Sequence, residues 1–228
     1  MTRDLLDNEL ESLHNNMLKM ASLTEESIEK TIIALKKQDV ELAKEVFKGD
    51  DLIDDLERII EKQCLNLIAL QQPLAKDLRT TGAALKIITD IERIADQSAD
   101  IAEITIRMAS EKYIKPLVDI PKMAECARVM VSKVIDAYIR QDVELAKSVA
   151  ACDDEVDELF YKIILELTGI MKNSPDTVEQ AIDLILIAKH LERMADHAIN
   201  IGEWVIYNVT GKHYKFNDNI REDDKVKN

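Results

Sequence analysis

The amino-acid sequence predicts an all-α protein built as two tandem three-helix bundles, with six long helices related by an internal duplication. The composition favours helices, since the 228 residues include only five Gly, four Pro and one Trp. Apolar residues recur three and four positions apart over long stretches, as on the buried side of an amphipathic helix. Motifs of the first half return in the second half in the same order.

Three helices are predicted in the first half. The first covers residues 10–37 and ends in a short break before Asp39. The second continues the apolar periodicity as far as Leu70, and Pro73 ends it because proline lacks the backbone N–H that a helix needs. The third covers residues 75–110. Helices joined by such short connections are expected to be antiparallel neighbours.

The second half repeats this pattern. The heptapeptide QDVELAK occurs at residues 38–44 and again, letter for letter, at 141–147, an offset of 103. An Asp-Asp-x-x-Asp motif follows in both halves at the same offset, and a linker bracketed by Pro116 and Pro121 separates the halves. These features divide the chain into a first repeat, a second repeat and a flexible charged tail, at residues 1–115, 116–212 and 213–228.

Charge and composition exclude several classes of function. The formal net charge of −14 at pH 7 opposes binding to nucleic acid and to anionic membrane surfaces. The three cysteines are scattered and form no CxxC pair, as in a protein of a reducing compartment. No uncharged stretch reaches the roughly 18 residues of a membrane-spanning helix. We therefore expect a cytoplasmic protein that does not insert into a membrane.

A segment of the predicted third helix occurs a second time in the other half of the chain. The sequence IERIADQSADIAE at residues 91–103 returns as LERMADHAINIGE at residues 191–203, an offset of 100. Each copy carries acidic or amide side chains at gaps of four, four and three residues, which places them in one narrow stripe of a helix. The two acidic stripes are Glu92, Asp96, Asp100 and Glu103 in the first repeat and Glu192, Asp196, Asn200 and Glu203 in the second.

The acidic stripes interrupt helix faces that should be buried, and burial of an unpaired carboxylate is costly. Each stripe therefore needs cations, a solvated seam or bound metal ions. Aspartates of the preceding helix are predicted to complete the metal sites: Asp51 and Asp54 in the first repeat, Asp154 and Asp157 in the second. Such all-oxygen ligand sets suit magnesium, manganese, calcium or ferric iron.

A plainer interpretation of the acidic stripes is a row of exposed carboxylates with Arg93 or Arg193 as partners, which is common on helices. The recurrence of both motifs in both halves favours metal binding instead. Asn200 stands where the first repeat has Asp100, which removes one charge and predicts a weaker second site. His197 lies about 100° around the helix from Asp196 and is predicted to be a flanking or interface residue rather than a ligand.

No catalytic constellation is found in the sequence. A di-iron site of the carboxylate-bundle type needs two ExxH pairs on separate helices, and the sequence has only one, from Glu11 to His14. A Walker loop, a GxGxxG motif and a Ser-His-Asp order are also missing. The repeated scaffold is therefore predicted to be a binding module and not an enzyme.

The duplicated ExxxD helices and the segment PLAKDLR, from Pro73 to Arg79, resemble the PhoU family of accessory regulators of high-affinity phosphate uptake. The resemblance covers essentially the whole chain apart from the tail. It implies two tandem three-helix bundles arranged with pseudo-twofold symmetry, and a cytoplasmic homodimer.

The same resemblance implies a function and metal ligands. PhoU-like proteins associate with the ATPase subunit of the Pst phosphate transporter and with the PhoR sensor kinase, and they keep the phosphate regulon off when phosphate is plentiful. Their ExxxD motifs bind metal ions (iron, zinc, manganese or magnesium), which implies Glu92 and Asp96, and Glu192 and Asp196, as ligands here. Two alternatives stay open: a carboxylate-bundle metal-binding or storage protein, and a metal-free helical scaffold.

Overall fold

The computed structural model describes residues 2–216, and these residues contain six long helices and one short helix but no strand. The helices are α1 (Thr2–Lys37), α2 (Val40–Asn66), α3 (Lys76–Met108), α4 (Asp119–Arg140), α5 (Val143–Lys147), α6 (Ala150–Asn173) and α7 (Val178–Thr210). A π-helical segment, Leu67–Gln71, follows α2, and a 3₁₀ turn, Pro175–Thr177, precedes α7. The predicted all-α fold with six long helices is confirmed, and α5 is an addition to it.

The repeated heptapeptide forms the same turn in both halves. Gln38 and Gln141 end α1 and α4 with left-handed backbone conformations, at φ values of 53° and 52°. Asp39 and Asp142 then cap the next helices, because each carboxylate accepts a hydrogen bond of 3.0 Å from the backbone N–H three residues further on. The duplicated sequence therefore encodes a helix stop followed by a helix start.

The limits of the helices differ from prediction mainly at the start of the chain. Helix α1 begins at Thr2 rather than near residue 10, because Leu6 and Leu10 already pack against the core between charged neighbours. Helix α3 begins at Lys76, one residue after the predicted start, and follows a loop in which Gln72 and Ala75 adopt positive φ.

The long helices form two layers. Helices α2, α3, α7 and α6 lie side by side in that order, and α1 and α4 pack behind them. One continuous hydrophobic core runs through both layers and both repeats, with Met20, Ile94, Met130 and Ile187 among its fully buried side chains. The two repeats are therefore packed into a single unit, and the predicted limit at residues 115/116 lies in the loop between α3 and α4.

Helices α3 and α7 are antiparallel neighbours at the centre of the four-helix layer. Near one end Arg79 donates a hydrogen bond of 2.9 Å to the backbone oxygen of Asn208, and near the other Arg107 pairs with Asp183. Residues of α3 and α7 that are 100 apart in sequence are therefore related by a pseudo-twofold axis between the two helices. Ala95 and Ala195, both fully buried, lie near that axis.

The described part of the predicted tail is packed rather than extended into solvent. Phe216 is buried against Gly202, and Lys215 forms an ion pair of 2.9 Å with Glu203. Residues 217–228 of the tail lie outside the described residues. Within residues 2–216, no helix combines the length and the apolar character needed to cross a membrane.

Candidate metal centre

A cluster of carboxylates lies in the groove between α2 and α3. Asp50 and Asp54 come from α2 and Asp96 from α3, and one oxygen of each lies within 4.8 Å of the others. All three side chains are partly buried. Three hard oxygen atoms at this spacing are a suitable ligand set for a divalent or trivalent cation.

Glu92, one turn before Asp96 on α3, adds a fourth carboxylate with an unusual environment. Its side chain is only 13% exposed. Its Oε2 atom is buried and accepts no hydrogen bond from any described residue, although Arg93 Nε lies 3.3 Å away outside hydrogen-bond geometry. A buried oxygen without a donor is costly, and a cation in the groove would satisfy it.

The crowding of negative charge raises carboxyl pKa values in this first cluster. Burial, followed by repulsion from Asp96 and Asp54, raises the pKa of Asp50 to about 6. Burial and repulsion from Asp96 raise the pKa of Glu92 to about 7, against the attraction of Arg93. Arg93 also donates a hydrogen bond of 2.8 Å to Asp96. These groups repel one another unless protons or metal ions neutralise them.

The second repeat places a related cluster in the groove between α6 and α7. Burial is the main cause of a raised pKa for Asp153, at about 6, with repulsion from Asp157 and Asp196 adding to it. Burial and repulsion from Glu192 also raise the pKa of Asp157 and of Asp196. These repulsions indicate that the four carboxylates lie near one another, but Asp157 and Asp196 are exposed, and the described residues bring ligand oxygens within 4.8 Å of one another only at Asp50, Asp54 and Asp96.

A lysine distinguishes the two clusters. Lys189 forms an ion pair with Glu192, and its attraction opposes the rise in pKa of Asp157 and Asp196. The corresponding residue of the first repeat is Thr89, which donates a hydrogen bond of 3.2 Å to Glu57. Each cluster therefore has a cation beside it: Lys189 in the second, and Arg93, which pairs with Glu92 and Asp96, in the first. The first cluster is the stronger candidate metal site because, among the described residues, converging ligand oxygens are found at Asp50, Asp54 and Asp96.

The structure revises which aspartates of α2 and α6 face the grooves. Asp51 and Asp154, which the sequence analysis selected, are exposed, whereas Asp50 and Asp153 are half-buried in the clusters. The reason is geometric: α3 packs on the side of α2 that carries Asp50 and Asp54, and Asp51 points about 100° away from Asp50. Of the other two predicted aspartates, Asp54 contributes an oxygen to the first cluster, whereas Asp157 is exposed and is repelled by Glu192.

The third positions of the stripes turn toward the contact between α3 and α7. Asp100 Oδ2 lies 3.4 Å from His190 Nδ1, and Asn200 donates a hydrogen bond of 3.3 Å to Asp90. His197 Nδ1 lies 2.9 Å from the same Asp90 oxygen, so the prediction of His197 as an interface residue is confirmed. Asn200 is therefore not part of the second cluster, so its missing charge is not the reason that the second cluster is the weaker candidate.

These polar contacts obey the pseudo-twofold axis, since Asp90 corresponds to His190 and Asp100 to Asn200. The axis also relates His197 to Gln97. The contact between His197 and Asp90 therefore has a counterpart between His190 Nδ1 and Gln97 Oε1, at 2.8 Å. Sequence reasoning missed Asp90, Gln97 and His190. The signal in the sequence was that Asp90 and His190 are 100 residues apart, so that an acidic and a basic residue occupy symmetry-related positions.

Comparison with known proteins identifies relatives of the whole chain. A family model described as the PhoU domain matches residues 17–105 and again residues 120–205. A Clostridium acetobutylicum protein named "Phosphate-specific transport system accessory protein PhoU homolog" is 38% identical over 219 residues, covering 96% of this chain and all of that protein. A protein of the same name from Aquifex aeolicus is 44% identical over 185 residues, or 81% of this chain and 84% of that protein.

Two solved structures share the fold. The crystal structure of PhoU from Pseudomonas aeruginosa superposes with a TM-score of 0.88 at 33% identity, covering 90% of this chain and 99% of that one. The crystal structure of the phosphate transport system regulatory protein PhoU from Streptococcus pneumoniae superposes with a TM-score of 0.86 at 27% identity, covering 92% of this chain and all of that one. The match extends over both repeats in each case.

Proposed function

The chain belongs to the PhoU family, and from this we propose that it is a negative regulator of phosphate uptake and of the phosphate regulon. Its relatives are named as accessory proteins of a phosphate-specific transport system, which supports an accessory role in phosphate transport. We propose further that it acts by binding the ATPase subunit of the Pst transporter and the PhoR sensor kinase. The role is one of binding and not of catalysis.

The observation that carries the metal-dependent part of this proposal is the first carboxylate cluster. Asp50, Asp54 and Asp96 offer converging oxygen atoms, and Glu92 adds a buried oxygen that accepts no hydrogen bond from the described residues. This donor set fits magnesium, manganese or iron, and zinc less well because zinc prefers nitrogen and sulfur ligands. When bound, the metal would supply positive charge to the groove between α2 and α3.

The cluster would couple metal binding to docking through electrostatics. Without a cation, the carboxylates of the two helices repel one another, as the raised pKa values of Asp50 and Glu92 indicate. Neutralisation would hold α2 and α3 together and change the charge of the face that a partner meets. Surface charge mainly governs the rate and specificity of association. We place the protein in the cytoplasm, as a homodimer.

The metal site is tested with isosteric variants of the purified protein. The double variant Asp54→Asn, Asp96→Asn removes two ligands while keeping side-chain shape, and Asp51→Asn is the matched control because Asp51 is exposed beside the cluster. After loading with manganese and desalting, elemental analysis should find metal in the wild type and in Asp51→Asn but not in the double variant. Equal metal in all three proteins would refute the assigned ligands.

The regulatory role is tested in cells that lack the chromosomal gene. Expression of the wild type should switch off a phosphate-regulated reporter in high phosphate, and purified chain should bind the transporter ATPase and the kinase. Failure of both would refute the proposed function. Repression that survives in the double variant would show that metal binding is separate from signalling, as in a metal store. Absence of metal from the repressing wild type would favour a metal-free scaffold.

A further inference from the structure

An open groove of about 700 Å³ lies where α2, α3 and α7 meet in the four-helix layer. We call it the α2–α3–α7 groove. The side chains that give it its chemistry are Glu57, Glu61 and Leu65 of α2, Leu85 and Asp90 of α3, and Trp204 of α7. A groove of this volume can hold a ligand the size of a few amino-acid residues.

Hydrogen bonds join the three helices at the acidic end of the groove. Thr89 of α3 donates a hydrogen bond of 3.2 Å to Glu57 of α2, and Asn200 of α7 donates one of 3.3 Å to Asp90 of α3. His197 also contacts Asp90, and both contacts use the same oxygen, Oδ1, which leaves Oδ2 for another donor. This end of the groove therefore presents carboxylates that neighbouring side chains hold in place.

The apolar end of the groove lies one to two helical turns away from these hydrogen bonds. Leu65 follows Glu57 by two turns on α2, about 12 Å along the helix axis, and it is 54% exposed. Trp204 lies one turn along α7 in the same direction, and Tyr207 and His213 contact its indole ring in edge-to-face arrangements. The groove therefore combines carboxylates at one end with an exposed leucine and an indole at the other.

The second repeat shows that the fold does not require the carboxylates of the groove. At the offset of 103 that relates α2 to α6, Glu57 and Glu61 have the counterparts Phe160 and Ile164. Both counterparts are apolar and partly buried, and Phe160 packs against the hydrophobic core. The negative charge of the groove is therefore specific to the first repeat and is not part of the packing that the two repeats share.

The charge and spacing of these carboxylates select a cationic polypeptide as the ligand. Glu57, Glu61 and Asp90 line the groove together with a single basic side chain, Lys86. Among the described residues, ligand oxygens converge as a metal ion requires only in the first cluster, so the groove carboxylates are spread along its length. Spread carboxylates suit the separate ammonium or guanidinium groups of a polypeptide. The indole ring of Trp204 adds attraction for a cation above its face.

We propose that the α2–α3–α7 groove binds a short basic segment of a partner protein. Arginine or lysine side chains of that segment pair with Glu57, Glu61 and Asp90, and a following apolar side chain packs on Leu65 and Trp204. An extended chain rises about 3.3 Å per residue, so the two groups lie about three or four residues apart in the segment. The inference deepens the proposed function by assigning a class of partner to a surface, and it rests on that function only in assuming a protein partner.

The test uses the fluorescence of Trp204, which is the only tryptophan of the chain and lies in the groove. The probe is an unlabelled peptide of about eight residues, without aromatic side chains, in which two arginines are followed about three residues later by a leucine. The control peptide has glutamine in place of both arginines. With the full chain in EDTA, the arginine peptide should shift the emission with a dissociation constant below about 1 mM and bind about tenfold tighter than the control peptide.

Variants locate the binding site. Glu57→Gln with Glu61→Gln should weaken binding of the arginine peptide about tenfold, with an unchanged circular dichroism spectrum. Asp51→Asn with Asp55→Asn is the matched control, because it removes the same charge from exposed positions of α2 outside the groove, and it should bind like the wild type. Leu65→Thr introduces the residue type of the second repeat and should weaken binding about threefold. If the first double variant unfolds, Glu61→Gln alone replaces it, since Glu61 is exposed.

Four results would overturn the inference. Equal binding of the two peptides, or no change in emission with either up to about 5 mM, would show that the groove does not select a basic segment. Equal weakening by Asp51→Asn with Asp55→Asn would show that long-range charge drives the binding. Spermidine that binds as tightly as the arginine peptide would show that a free polyamine is the ligand. Sedimentation in which the wild type is a dimer and Leu65→Thr is a monomer would show that a second copy fills the groove.

The peptide experiment is independent of the tests of the proposed function. It needs neither the transporter ATPase nor the kinase, and EDTA removes metal ions from the first cluster. None of its results bears on metal content or on repression of a reporter, so failure here is distinct from failure of the proposed function.

Discussion

Replacement of Glu92 by glutamine tests whether repulsion among the carboxylates of the first cluster lowers the free energy of unfolding. The side chain is 13% exposed, and burial together with Asp96 raises its pKa from 4.5 to about 7. Because the folded-state pKa lies above the unfolded one, the folded state holds the proton more tightly, and the free energy of unfolding falls as pH rises from about 4.5 to about 7. At 1.36 kcal/mol per pKa unit, the raised pKa of Glu92 lowers the free energy of unfolding by about 3 kcal/mol at pH 8, and by about 1 kcal/mol at pH 5, where the side chain is protonated in the folded state and ionised in the unfolded one.

Glutamine keeps the shape of the side chain and removes the charge. In EDTA, Glu92→Gln should therefore raise the melting temperature at pH 8 by roughly 6 °C or more, since 1 kcal/mol corresponds to about 2–4 °C for a chain of this size. The gain should shrink to about a third at pH 5. Thermal unfolding followed by circular dichroism measures both values, and Glu103→Gln, at an exposed position of the same stripe, is the matched control.

Added metal should reverse the order of the melting temperatures, so that the wild type becomes more stable than Glu92→Gln. Added manganese stabilises the wild type in proportion to the logarithm of its concentration above the dissociation constant, and Glu92→Gln gains less because a ligand is missing. A lower melting temperature for Glu92→Gln at pH 8 in EDTA would refute the reasoning. So would an equal gain at pH 5 and pH 8, because the effect would then not come from the charge.

Two further changes test the second cluster and the duplicated turn. Lys189→Thr gives the second cluster the residue found at Thr89 in the first, and calorimetric titration with manganese should detect an additional bound ion; an unchanged stoichiometry would show that Lys189 does not block the site. Asp39→Ala removes the cap that accepts a hydrogen bond from the backbone of α2 and should lower stability by about 1 kcal/mol in urea unfolding. The exposed Lys48→Ala should change it by less than about 0.5 kcal/mol, and equal losses would contradict the capping role.

Helix content and the order of the elements were predictable because local signals carry them. Pro73 marks the end of the second helix region, and the repeated Gln-Asp pairs mark turns that need one left-handed residue and one cap. The break between α5 and α6 was not predicted. There Ser148 donates a side-chain hydrogen bond of 2.7 Å to the backbone oxygen of Leu145, in the position that Glu45 occupies within α2. A serine that bonds to the backbone competes with helix continuation, and periodicity does not report this.

The candidate site was predictable only in part, because it depends on which side of each helix packs. The spacing within α3 placed Glu92 and Asp96 on one side, and the structure has both in the first cluster. In the Asp-Asp-x-x-Asp motif, Asp54 lies four residues after Asp50 and three after Asp51, so either aspartate could share its side of the helix. Only the packing of α3 against α2 decides that Asp50 is the one in the groove. Lys189, three residues before Glu192, has the spacing of a surface ion pair, and its role in the cluster follows from the fold.

The two repeats have kept their buried residues and changed their outer ones. Ile60 and Ile163 remain at the same buried position, while Thr89 has the counterpart Lys189 and Lys62 has the counterpart Leu165. Surface positions tolerate such changes because they contribute little to stability, whereas core positions are restricted by packing. The two repeats thus share the packing of their helices but differ in the polar and charged side chains on their surfaces. In the first repeat the groove between the second and third helices has Arg93 paired with Asp96, and in the second it has Lys189 paired with Glu192. Both grooves belong to the same four-helix layer, on either side of the contact between α3 and α7.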